Sequence, residues 1–239
     1  SGKTRGLRSW IGGEADASFE QEFAAVGEEA FVPAVDTTST GVFWIEERHF
    51  GPGRFSLGAR VEQVDHNASG ANPDRDFDLF SASAGWHQEF GADTHLNLNL
   101  SHAERAPDVL ELYAAGPHLA TLTIENGNPD LDVERSLNLD LGLAAERGRW
   151  FYAVDLFLTR YDNYIFAQEL PHEDEEGEHE GEVHEEHDEG ELTPIAYVQD
   201  GADFWVGELQ VGYELSPNHQ LSLFADTVRA ERDGGADLP

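Results

Sequence analysis

The sequence predicts an all-β fold: an antiparallel transmembrane β-barrel present in part, as about ten strands of a larger barrel. Three observations carry that reading. Apolar and polar residues alternate with period two through most of the chain, which is the strand template rather than the helical one. The alternating runs exceed the five or six residues usual for a soluble sandwich and reach the roughly 9–11 that span a bilayer at a tilt. Short and long connections alternate from residue 27 onward, the layout of an outer-membrane barrel with short periplasmic turns and long outer loops.

The predicted strands cover residues 4–13, 17–26, 37–50, 54–66, 77–90, 94–104, 134–146, 149–170, 193–216 and 219–230. Phe55, Leu57, Ala59 and Val61 oppose Ser56, Arg60 and Glu62. Leu96, Leu98 and Leu100 oppose Asn97 and Asn99, and Leu137, Leu139, Leu141 and Leu143 oppose Asn138, Asp140 and Gly142. Trp150, Tyr152, Val154, Leu156 and Leu158 share a face opposite Asp155 and Thr159. Later, Leu209, Val211, Tyr213 and Leu215 oppose Glu208, Gln210 and Glu214, and Leu221 and Leu223 oppose Ser222. Gly51-Pro52-Gly53, Gly91-Ala92-Asp93, Arg147-Gly148 and Pro217-Asn218 have the chemistry of tight turns. The connections 27–36, 67–76, 105–133 and 171–192 are long. Aromatic residues near strand ends (Trp86, Phe90, Trp150, Tyr152, Tyr161, Tyr164) predict interfacial girdles. Ala106–Tyr113, with Pro107 and Asp108 ahead of a helix-forming run, reads as a short helix in one outer loop.

Composition narrows the class. The formal charge of −34 is carried by a chain with a single lysine, Lys3, which makes nucleic acid a poor partner and cations natural ones. Cysteine is absent, so thiolate metal sites, disulfides and cysteine nucleophiles are excluded. No run of about 18 apolar residues exists to form a transmembrane helix, a condition that leaves a strand-built membrane barrel open.

The segment 171–192, PHEDEEGEHEGEVHEEHDEGEL, holds four histidines (His172, His179, His184, His187) among twelve carboxylates. It cannot bury enough apolar surface to offset the entropy of ordering, so it reads as a solvated outer loop. Solvation alone needs no imidazole, and repeated His among Asp and Glu supplies the mixed N/O donors that Zn²⁺ takes. His184 and His187 form the tightest pair, with Glu185, Glu186 and Asp188 within reach. His184-Glu185-Glu186-His187 is one residue short of the zincin motif, and no P-loop, G-x-S-x-G or other catalytic set stands out, so no enzyme is expected.

Residues 101–136 carry a further pattern. Arg105-Ala106-Pro107, Glu111-Leu112-Tyr113, Gly127-Asn128-Pro129-Asp130-Leu131 and Glu134-Arg135-Ser136 stand at a spacing that resembles TonB-dependent outer-membrane receptors. Gly116–Thr121, Gly27–Pro33 and the His/acid-rich loop together resemble the zinc-uptake (ZnuD-like) branch. The resemblance implies a 22-stranded barrel closed by an N-terminal plug and energised by a TonB-ExbB-ExbD complex. On that expectation residues 1–239 are the C-terminal part of such a barrel, without the plug, and would not transport alone.

The implied function is capture and uptake of a divalent metal ion, most naturally Zn²⁺, across the lipid of a Gram-negative outer membrane. Cu²⁺, Ni²⁺ or a metal chelate is the alternative cargo, and a metal-binding surface barrel without transport the alternative class. The resemblance makes His118, after Gly116-Pro117, a candidate second ligand at the pore mouth, although a lone loop His is more often structural. His102 and His66 are weaker candidates, and His49, His87, His95 and His219 near the short turns read as interface or solvent residues. A 171–192 peptide is expected to bind more than one Zn²⁺ at roughly micromolar or weaker affinity, declining as imidazoles protonate at lower pH. Calorimetry at neutral and mildly acidic pH checks both the binding and its sign.

Overall fold

Period-two alternation becomes one continuous sheet of eleven strands in the computed structural model, which describes residues 8–21, 31–171 and 192–233, with side chains from residue 31 onward. In chain order the elements are β1 (Arg8–Gln21), β2 (Val35–Phe50), β3 (Gly53–Ala68), β4 (Arg75–Glu89), β5 (Thr94–Arg105) and α1 (Val109–Tyr113). They continue with β6 (Ala115–His118), β7 (Thr123–Asn126), β8 (Glu134–Arg147), β9 (Trp150–Glu169), β10 (Thr193–Ser216) and β11 (His219–Arg232). The long strands pair antiparallel in the order β1-β2-β3-β4-β5-β8-β9-β10, with β11 also on β10. The short hairpin β6–β7 joins the same sheet through a parallel contact of β7 with Thr193–Ala196.

Two expectations need correction. The strands predicted at 4–13 and 17–26 are one strand, because its pairing with β2 runs past Glu14 and absorbs the irregular stretch in a register shift between Asp16 and Phe19. The 105–133 connection holds a hairpin as well as its helix. Its strands are only four residues long and lie beyond the end of the main sheet, too short for alternation to announce them. The short turns fall where expected, with Gly51, Gly91 and Gly148 at φ of 60°, 75° and 64°, a region glycine enters without strain.

Register sorts the two faces of the sheet. One row runs Phe55–Trp86–Leu98–Leu141–Leu156 and the next Leu57–Ala84–Leu100–Leu139–Leu158. Leu98, Leu100, Leu139 and Leu141 remain 38–49% exposed, so among the described residues no second sheet covers this face, and it is the lipid-facing one. The opposite face carries Ser83–Ser101–Asn138–Thr159 and Gly85–Asn99–Asp140. Hydrogen bonds lace it, Asn99 Nδ2 donating to Asp140 at 3.1 Å and Thr159 Oγ1 to Asn138 Oδ1 at 2.9 Å. This polar face is the barrel's inner wall. At the short-turn end Trp86 lies near Phe50 and Phe55, and Trp150 near Tyr152 and Tyr213, an outward girdle as expected. Tyr161 departs from it. Its partner is Ser136, on the inner side of Leu137, and it packs on Phe204 inside the wall.

The core sits at the long-loop end, where α1 and the Gly127–Leu131 turn fold onto the inner face. Val35, Phe77, Leu79, Leu112, Leu131, Val133 and Ile165 form it, with Leu112 and Leu131 fully buried. Helix α1 is one turn shorter at its start than the predicted segment because Asp108 caps it. Asp108 Oδ1 accepts from Leu110 N at 2.9 Å and Glu111 Oε2 accepts from Asp108 N at 2.6 Å. The helix end is closed by the following turn, with Gly127 N donating to Ala114 O and Asn128 N to Glu111 O. A β-carbon at Gly127 would lie 2.6 Å from the backbone nitrogens of Tyr113 and Ala114, so only glycine permits this contact. Gly127→Ala is therefore expected to destabilise the outer end by about 1–3 kcal/mol. Limited proteolysis of the full-length receptor in detergent, with cleavage in 114–127 accelerated, measures it.

Candidate functional site

The outer end of the inner wall encloses a cavity of about 890 Å³ lined by Phe31, Val35, Thr37, His66, Pro107 and His118 among others. Its walls are held by an ion network drawn from the sequence pattern at 105–136. Arg105 donates to both oxygens of Glu111 at 2.8 and 3.1 Å and to both oxygens of Glu134 at 3.2 Å. Glu134 is buried, and its Oε2 also accepts from Ile165 N at 2.9 Å. One guanidinium thus ties the end of β5, helix α1 and the start of β8 together, a planar bidentate task suited to Arg and not Lys. On the other side of α1, Tyr113 OH donates to Pro73 O at 2.9 Å, and burial pushes this phenol above its ordinary range.

Two imidazoles line the cavity. His66, 5% exposed, shares a 2.8 Å hydrogen bond between Nδ1 and Thr37 Oγ1. Its Nε2 meets no partner of good hydrogen-bond geometry, the Pro107 carbonyl being the polar group beside it. His118, at the end of β6, stacks on Phe31 with ring centres 4.7 Å apart. Its Nδ1 lies 2.6 Å from Oε1 of Glu125, a carboxylate only 3% exposed whose Oε2 accepts from Tyr197 OH at 3.0 Å. A carboxylate on Nδ1 fixes the tautomer and leaves Nε2 as the electron-pair donor, the arrangement found behind metal-ligating histidines.

His118 is thus the one predicted ligand among the described residues. His172, His179, His184, Glu185, Glu186, His187 and Asp188 all lie outside them. The roots of their loop are described, and they adjoin the hairpin that bears His118. Thr193 N donates to Leu122 O at 3.0 Å, Leu170 N to Pro194 O at 2.9 Å, and Asn126 Nδ2 to Ile195 O at 3.0 Å. Sequence reasoning passed over Glu125 and Tyr197, which sit 7 and 79 residues from His118 and meet it only through the hairpin. It gave His66 little weight, as part of a single Asp-His pair at the start of a loop. His102 does not join the site. It lies on the outer face beside Phe80, with Nε2 3.3 Å from Glu104. Replacing Glu125 by Ala leaves the Tyr197 hydroxyl and the His118 ring without their shared partner, an expected cost of about 1–3 kcal/mol. Faster protease cleavage at the 119–122 hairpin tip of the full-length receptor is the readout.

The chain matches the family described as TonB dependent receptor-like, beta-barrel over residues 5–229. It is similar in fold to the copper transporter OprC, at a TM-score of 0.67 and 18% identity, over 86% of this chain and 31% of that one. It is also similar to the FrpB iron transporter from Neisseria meningitidis, at a TM-score of 0.55 and 13% identity, over 84% of this chain and 27% of that one. The Serratia marcescens hemophore receptor HasR, in complex with its hemophore and heme, gives a TM-score of 0.58 at 16% identity over 84% of this chain and 35% of HasR. The chain therefore spans about a third of the length of these structures. A continuous sheet with one lipid face, one polar face, short turns at one end and long loops at the other is part of their barrel wall. The chain belongs to the TonB-dependent receptor β-barrel family of the Gram-negative outer membrane, a family of transport receptors and not of enzymes.

Proposed function

We propose that the receptor containing this chain takes up a divalent metal ion, zinc first, and that the 171–192 tract captures the ion at the cell surface. The observation that carries this reading is the seating of the tract's roots against the β6–β7 hairpin, beside the cavity into which His118 faces. The described ends of the tract adjoin the hairpin that carries His118, whose ring Glu125 holds with Nε2 as the donor nitrogen. The acidic excess adds a negative field that concentrates cations near the mouth, more strongly at low salt. Loose N/O ligation by the tract's imidazoles and carboxylates would give modest affinity, and a surface trap requires this because the ion must leave again. Entry past the outer mouth would be driven through the TonB-ExbB-ExbD complex engaging the remainder of the receptor.

Copper is the second reading, on the chemistry of the donors alone. The affinity order of N/O sites places Cu²⁺ ahead of Zn²⁺, so binding strength does not choose between them. Uptake does. Cells expressing the full-length receptor are expected to accumulate radioactive zinc at limiting concentration. Deletion of 172–191 should lower that rate several-fold at limiting zinc and little at saturating zinc. His118→Ala should lower it at both. Zinc accumulation equal to that of receptor-free cells, with copper or nickel accumulation retained, rejects zinc as the cargo.

A further inference from the structure

The inner wall carries a second group of metal-type donors at its other end. His87 and Glu89 lie two residues apart at the end of β4, on one face, and the ladder sets His95 of β5 opposite Glu89 and Asn97 opposite His87. Two imidazole nitrogens and a carboxylate oxygen from these residues lie within 4.8 Å of one another. The His87 and His95 rings are stacked, 6.0 Å between centres and 17° between planes, and His87 Nε2 is 3.9 Å from Glu89 Oε1. The sequence alone placed His87 and His95 as interface or solvent residues. Register makes this specific, since Gln88 and Leu96 face lipid while His87 and His95 face inward, partly exposed and side by side.

We propose that His87, Glu89 and His95 form a binding site for a borderline divalent metal ion at the periplasmic rim of the barrel's inner wall. The donor set is that of a three-ligand zinc-type site with a fourth position open to water. Asn97 Oδ1 lies 2.7 Å from His87 Nδ1 and can only accept, so Nδ1 carries a proton and Nε2, 3.9 Å from Glu89 Oε1, is the nitrogen left for an ion. Tetrahedral ligation places donors roughly 3.3 Å apart. The present separations close to that by rotation of three side chains, none of them buried, without moving the strands that hold them.

The surroundings favour a cation. The inner row that begins at His87 continues through Asn97 and Gly142 to Asp155, Glu208 and Asp226 on successive strands. Gly142 contributes no side chain to this row, and Asp155 Oδ1 reaches over its position. Three acids side by side repel one another, and none of them has a basic partner within salt-bridge distance among the described residues. The cation facing His87, Arg54 of β3, is turned toward Glu47 at 3.8 Å. Along β3, twelve residues separate Arg54 from His66, roughly 40 Å of wall between this site and the outer cavity. The site thus stands where an ion leaves the barrel, weak enough by its open coordination to release it. That role as an exit station rests on the metal-uptake reading, whereas the binding itself does not.

The test uses detergent-solubilised full-length receptor that lacks residues 172–191 and carries His118→Ala, so that the outer donors are removed, with Cu²⁺ as a paramagnetic probe. Electron paramagnetic resonance is expected to show one ion with nitrogen hyperfine structure that disappears in His87→Ala/His95→Ala. Asn97→Ala is expected to weaken binding ten- to a hundredfold while retaining the signal at high Cu²⁺. Heat-modifiable gel migration confirms that each variant is a folded barrel. Unchanged Cu²⁺ stoichiometry and hyperfine structure in a folded double variant would overturn the site. A receptor that carries a chelate and not a free ion would still lose this bound Cu²⁺ on substitution, so the site and the uptake reading fail separately.

Discussion

Hydrocarbon offers no hydrogen bonds, so every backbone N–H and C=O at membrane depth must find its partner in a neighbouring strand. That requirement governs this chain more than any side-chain contact does. It carries β1 through its bulge without a break, since stopping the ladder there would strand backbone groups in lipid. It also makes the register unforgiving: a slip of one residue would turn the Leu96–Leu100 and Leu137–Leu143 rows inward and put Asn99 and Asp140 against acyl chains. Membrane-facing leucine and inward-facing polar residues are two consequences of the same pairing.

Above the ladder, where water returns, the constraint relaxes and ordinary tertiary packing takes over. The core is small and lies wholly at this end, built on α1 and the turn after β7. The motif residues that mark the family are the ones that assemble it. Arg105 bridges Glu111 and Glu134, Gly127 lets the turn meet the helix backbone, and Leu131 is fully buried. Their role is architectural. They hold the outer rim in a shape that leaves a cavity with two imidazoles facing it, and they do not dictate what enters it.

Two histidine-bearing regions therefore lie at opposite ends of one polar wall. In each, a neighbouring group fixes an imidazole tautomer, Glu125 for His118 and Asn97 for His87. The difference is in their setting. His118 is held by a buried carboxylate and packed on Phe31, so its geometry is set before any ligand arrives. His87 and His95 stand on partly exposed strand ends beside a short turn and would close only around an ion.

Much was legible from the residues in order. Period two with long runs marks membrane strands because lipid and water impose opposite preferences on alternate side chains, and the Gly-, Pro- and Asn-bearing turns locate the ends of most of them. The His/acid tract stands out in the sequence as four histidines among twelve carboxylates, and it lies outside the described residues. Tertiary structure alone decided which face each histidine takes. His87 and His95 read as turn-end residues until the β4–β5 register set them inward and together. His118 read as a lone loop residue until a hairpin of four-residue strands brought Glu125 to it and β10 brought Tyr197. The reason is physical: alternation reports only the average polarity each face requires, whereas a site depends on which residues of separate strands stand opposite one another, and that is set by pairing.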